Sequence, residues 1–173
     1  TGRVWTFRLR AAARWHDTGA SITSADVVST YQRIVSLGAN THYSYVTTRV
    51  ESMVAMEDGS LVVTMRQGGA ASLYALTFPV MRSGAPEADG TPVGTGPYKV
   101  LSVTDDAMRL IVNTNWWKQT PYIEAFTFYA KDSNEIALAS YEAGQLDLVP
   151  TSALSVGRYR EDGVTNVLDV MTQ

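Results

Sequence analysis

The chain has 173 residues, of which 45% are hydrophobic and 18% charged, with a net charge of −3 and no cysteine. That length supports one domain with a real core or two small lobes, and that composition excludes a disordered chain. The arginines at 8, 10, 14, 33, 49, 66 and 82 are dispersed, which argues against nucleic acid; the lack of cysteine excludes disulfides, thiolate metal sites and cysteine nucleophiles.

"VWTFRLR" alternates, with Trp5, Phe7 and Leu9 on one face, and predicts a half-buried strand. The turn "HDTGAS" follows. A helix then starts at Thr23, whose side chain can cap it while Asp26 completes a capping box. Val27, Val28, Tyr31, Ile34 and Val35 form the predicted buried stripe, and Gly38 is the expected stop. "NTHYSYVTT" is expected to be a polar loop. Strands are expected from Val50 to Met56 and through Leu61, Val63 and Met65, joined at Asp58-Gly59, a strong hairpin signal.

A short helix, "AASLYAL", leads to "TFPVM", where Pro79 interrupts pairing. Arg82 to Pro92 is the expected internal boundary. The second half begins with a hairpin, Tyr98 to Val103 and Met108 to Val112, turning at Asp105-Asp106. A strand with Phe126 and Phe128 packed on one face and a helix over "DSNEIALASYEAG" come next, with Asp132 or Ser133 as cap and Gly144 past its end. "QLDLV" is expected as a short strand, Ser152 as the cap of a helix to about Tyr159, and Val164 to Val170 as a last strand. Interleaved strands and helices predict an α/β or α+β class with mixed sheets flanked by helices.

Each enzymatic template lacks a requirement. His16 and His42 have no second histidine at ligand spacing, so no metal and no cofactor is expected. No serine sits in a G-x-S-x-G elbow. The carboxylate pairs Glu57-Asp58, Asp105-Asp106 and Glu161-Asp162 lie at turns, where solvated residues are the rule. "PVGTGPYKV" lacks the lysine of a phosphate loop, and Pro97 removes an amide donor such a loop would use. It reads instead as a turn feeding a strand, with Gly94 and Gly96 expected to adopt backbone angles that other residues resist. Tyr43 and Tyr45, aromatics in a polar loop, are the positions that suggest ligand contact.

Four blocks occur in order: "WTFRLRAAARWHDTGASITSADVVSTYQRI", "PVGTGPYKV", "NTNWW" with the following Pro121, and "IEAFTFYAKDSNEIALASYEAGQLDLV". Together they resemble the family five extracellular solute-binding proteins, the dipeptide, oligopeptide and nickel-chelate receptors of ABC importers. There are two departures: an extra residue between Asp17 and Gly19, and Trp116 where tyrosine is commoner. The resemblance implies a partial fold like the type II periplasmic binding proteins, with residues 1–82 from the small extra lobe and 83–173 from the lobe that carries the chain termini. Family members run to several hundred residues with a secretory or lipoprotein signal, so the second ligand-binding lobe is expected to be absent here.

The resemblance further implies a non-enzymatic, extracytoplasmic monomer, periplasmic or anchored at the cell surface as a lipoprotein. Such a protein closes two lobes on a peptide-like solute and presents it to an ABC permease in the membrane. By position, it places Tyr43 and Tyr45 and the crossover segment Phe78, Pro79, Val80 and Met81 beside the ligand cleft. Val80 stands where nickel receptors can carry an arginine, which argues against an anionic chelate. Two other readings stay open: the solute-sensing domain of a transcriptional regulator, and a hydrolase.

Overall fold

The computed structural model describes residues 2–84, 91–151, 153–160 and 167. The chain forms two compact units, Thr1–Thr104 with Met108–Phe128, and Asp105–Ala107 with Tyr129–Gln173.

The first unit opens with strand β1 (Val4–Phe7), on which Trp5 and Phe7 point inward as the alternation requires. Helix α1 (Ser24–Leu37) carries the expected capping box: the Thr23 side chain accepts from the Asp26 amide, and the Asp26 carboxylate accepts from the Thr23 amide. Gly38 ends it with a positive φ of 54° and donates its amide to the Ile34 carbonyl. Val27 and Ile34 are buried and Val28 and Tyr31 pack against the core, but Val35 is exposed. Val35 lies past the edge of the covered stripe.

The segment expected as a loop contains a short helix, α2 (Tyr45–Arg49). Its composition, rich in β-branched residues, does not favour helix, and so few residues cannot form one alone. Burial of Val46, with zero exposure in the core, holds it in place.

Strands β2 (Val50–Ala55) and β3 (Leu61–Met65) pair antiparallel through a hairpin at Asp58-Gly59, and β3 is central in a sheet of order β1-β3-β2. Leu61, Val63 and Met65 face the core. Gly59 has φ +80°, and a Cβ there would meet nothing within 4 Å. Gly59→Ala is therefore expected to cost only the left-handed backbone strain, about 1–2 kcal/mol, read as a shift in urea midpoint without a change in slope.

A 3₁₀ turn (Ala70–Leu76) leads to the irregular segment Phe78–Met81. A second sheet, of order β4-β5-β6, is built from β4 (Tyr98–Val103), β5 (Ala107–Val112) and β6 (Ala125–Tyr129), and β4 and β5 pair antiparallel. Tyr98 meets Phe126 edge to face, with ring centroids 4.9 Å apart. Phe128 is 57% exposed, so only Phe126 of the expected pair is sheltered.

In the second unit, α3 (Asn134–Glu142) is capped by Ser133, whose hydroxyl accepts from the Ile136 amide at 3.2 Å, and Gly144 follows with φ +70°. "QLDLV" forms no strand. Extended chain becomes a strand only by pairing with a neighbour, and no strand pairing involves these residues among those described, leaving Leu148 79% exposed. Helix α4 (Ala153–Arg160) follows, and the Tyr159 hydroxyl donates to Glu142 Oε1 at 2.6 Å. Ser152, all of the expected strand Val164 to Val170 but Val167, the pair Glu161-Asp162 and much of the Arg82–Pro92 boundary lie outside the described residues.

Candidate functional site

The segment from Phe78 to Ser83 is tied down by buried polar groups on α1. The Met81 amide donates to Thr30 Oγ1 at 2.9 Å, and that hydroxyl lies 2.8 Å from the Asp26 carbonyl and 3.2 Å from the Met81 carbonyl. Ser83 donates its amide and its hydroxyl to Asp26 Oδ1, at 2.7 and 2.8 Å. Arg82 Nη1 donates to Asp17 Oδ2 at 2.5 Å. Ser24, Asp26 and Thr30 are all buried on the helix. A buried aspartate and threonine four apart, bracketing an apolar stripe, were the available signal for this clip.

That anchoring sends Phe78 into the hydrophobic core and packs Val80 against it, while Met81 is 40% exposed. Phe78 and Val80 line an open apolar cavity of about 340 Å³, together with Phe7, Leu9 and Leu76. Its floor is Val27, Met53, Leu61 and Val63, and Arg8 and Arg10 are its charged lining residues. The size falls within the range of small-molecule pockets, roughly 300–1,000 Å³. Arg8 bonds Asp58 at 3.2 Å, and the Arg10 guanidinium stacks on Trp117, 4.1 Å from the ring centroid. Neither the Arg10–Trp117 stack nor the role of Phe7 and Leu9 in this wall was visible in the sequence, where β1 reads simply as a half-buried strand.

Tyr43, Tyr45 and Met81 do not line this cavity. Tyr43 packs against the core, and Tyr45 is 38% exposed, with the two rings edge to face at 6.4 Å. The five positions thus divide between a cavity pair, a tyrosine pair and a surface methionine.

"PVGTGPYKV" is held from outside rather than by unusual backbone angles. Neither Gly94 nor Gly96 has a positive φ, contrary to expectation, and a Cβ on Gly96 would enter open space. At Gly94 a Cβ would touch the His16 ring, 3.4 Å from Cε1, at the near edge of ordinary van der Waals contact. His16 Nε2 donates to the Gly96 carbonyl at 3.1 Å, and Asn113 Nδ2 donates to the same oxygen at 3.0 Å. This occupies both lone pairs of that carbonyl.

Three carboxylates are held below their ordinary value of 3.8. Burial pulls Asp26 upward, but the donors from Ser83 and Thr23 outweigh it. For Asp17 the upward pull of burial is overcome by the Thr18 amide and Arg82. Asp58 is lowered by the Ser60 hydroxyl and amide. Each is bound as a carboxylate acceptor, not poised as an acid. Among the described residues no group of three or more His, Asp or Glu could hold a metal ion, and no helix is long and apolar enough to cross a membrane.

The chain is similar in sequence and in fold to known proteins. The dipeptide-binding protein of Escherichia coli is 20% identical over 200 residues, covering 98% of this chain and 37% of that protein. The HTH-type transcriptional regulator SgrR of Photorhabdus laumondii is 28% identical over 115 residues, covering 65% of this chain and 20% of that protein. Among solved structures, the substrate-binding domain of an oligopeptide ABC transporter from Bacillus anthracis superposes with a TM-score of 0.77 at 21% identity, covering 93% of this chain and 36% of that one. The chain thus spans well under half the length of these relatives, and its fold matches part of that of the solved substrate-binding domain. Residues 1–172 match the family described as bacterial extracellular solute-binding proteins, family 5, middle, and the chain belongs to that family.

Proposed function

We propose that this chain is part of the substrate-binding component of an ABC importer, which captures a peptide-like solute between two lobes and delivers it to a membrane permease. The observation that carries the reading is the family match over residues 1–172. In this reading the protein is an extracytoplasmic monomer and not an enzyme. Residues 1–82 belong to the small extra lobe and 83–173 to the lobe with the chain termini. Capture is a population shift: solute held between lobes stabilises the closed form by its higher affinity for that form.

Tyr43, Tyr45, Phe78, Val80 and Met81 are the proposed solute-facing positions. Tyr45 and Met81 are the cleaner probes, because their side chains are partly free while Phe78 is core. In the intact protein, Tyr45→Ala is expected to weaken peptide binding roughly tenfold, the scale of one aromatic contact, with little change in melting temperature. Calorimetric titration with short peptides checks this, and unchanged affinity would remove Tyr45 from the site.

A second reading, the solute-sensing domain of a transcriptional regulator, is favoured by the 115-residue similarity to SgrR. A DNA-binding sequence in the same polypeptide, with specific duplex binding by the intact protein, would select it.

A further inference from the structure

We propose that the His16-Asp17 turn is a clasp that locks two separate passes of the chain, Met81–Ser83 and Gly94–Pro97, into one cooperative unit. The two residues are consecutive, and each holds a different pass. Asp17 takes Arg82 from the first pass. His16 takes the second pass twice, its amide donating to the Gly94 carbonyl at 3.0 Å and its ring to the Gly96 carbonyl at 3.1 Å.

The turn itself is held by its own hydrogen bonds. Trp15, at its root, is buried, and its amide donates to the Ala20 carbonyl at 2.9 Å. The Gly19 amide returns to the Trp15 carbonyl at 2.9 Å, and the Thr18 amide caps Asp17 Oδ1 at 2.7 Å.

Each pass is also anchored on its far side. Asp26 and Thr30 hold Ser83 and Met81 on α1, and Asn113 holds Gly96 and Pro97, its amide donating to the Pro97 carbonyl at 2.7 Å. Loosening either pass therefore strains bonds in the turn shared with the other, as expected of residues in one hydrogen-bond network. The clasp fixes the backbone that carries Val80 and Met81, and it acts whether or not those residues meet a solute.

Native-state hydrogen exchange on the intact protein, read by mass spectrometry of short peptides, tests the coupling. Arg82→Gln removes only the ion pair of the first pass. It is expected to speed exchange of the Met81 and Ser83 amides by roughly two- to fivefold, and of the His16 and Asn113 amides by a similar factor, while β3 amides are unchanged. Gly94→Val, which pushes a side chain against the His16 ring, is expected to produce the same pattern from the other side. Acceleration confined to the pass that carries the substitution would overturn the clasp. So would equal acceleration in β3, which signals global loosening, or no change anywhere.

Discussion

Asp26→Ala is expected to lower the unfolding free energy by about 3–4 kcal/mol, enough to bring the melting temperature down by roughly ten degrees. One carboxylate does two jobs here. Oδ2 accepts from the Thr23 amide at 2.8 Å and from its hydroxyl at 2.9 Å, closing the start of α1, and Oδ1 accepts the amide and hydroxyl of Ser83. The residue is 4% exposed, so the donors freed by alanine are poorly placed to find water. Loss of the cap contributes about 1 kcal/mol, and loss of the charge-assisted bonds to Ser83 about 2 kcal/mol more. Asp26→Asn keeps one acceptor oxygen and is expected to lose about half as much.

The same bonds set a pH dependence. The folded-state value of Asp26 is depressed below 3.8, as is that of Asp17, so their contribution is complete above the unfolded carboxylate value, about 3.9. It is lost as pH falls through the folded values. Urea midpoints of the parent protein should therefore decline below about pH 4, and Asp26→Ala should flatten that decline. An Asp26→Ala midpoint equal to that of the parent at pH 7 would show that the clip does not form.

Met65→Ala is expected to cost about 3 kcal/mol, within the range for large-to-small changes at fully buried sites. Met65 ends the central strand with zero exposure; its amide donates to the Arg3 carbonyl at 2.7 Å, and its own carbonyl accepts from Arg3 Nε at 2.8 Å. Those bonds hold the backbone in place, so the site cannot easily collapse around a smaller side chain, and the cavity persists. Met56, nine positions earlier on the other arm of the hairpin, is 46% exposed. Met56→Ala should fall within about 0.5 kcal/mol of the parent. Chemical denaturation of the two variants side by side checks the contrast, and equal losses would contradict the placement of β3 at the centre of the core.

The features legible in the sequence were those written locally. The capping box at Thr23 and Asp26 spans three residues, the hairpin at Asp58-Gly59 needs one left-handed glycine, and the inward face of β3 follows from strict alternation. Features decided by tertiary contact were hidden. Helix α2 depends on where Val46 is buried, "QLDLV" on whether a partner strand lies beside it, and Phe128 on what covers that end of β6.

The candidate site divides the same way. Phe78 and Val80 do line a cavity, but its other wall is β1, distant in sequence. The firmness of "PVGTGPYKV" was legible, and its cause was not. His16 reaches Gly96 across 80 residues of chain, a contact that no local pattern encodes, and its ring also lies against Gly94.

Native mass spectrometry of the intact protein, mixed with a library of short peptides, is the decisive test of solute capture. One peptide is expected to be held per protein and released unaltered when the protein is denatured. Conversion of the peptides to products, or failure to retain any small solute while a DNA duplex is bound, would contradict it.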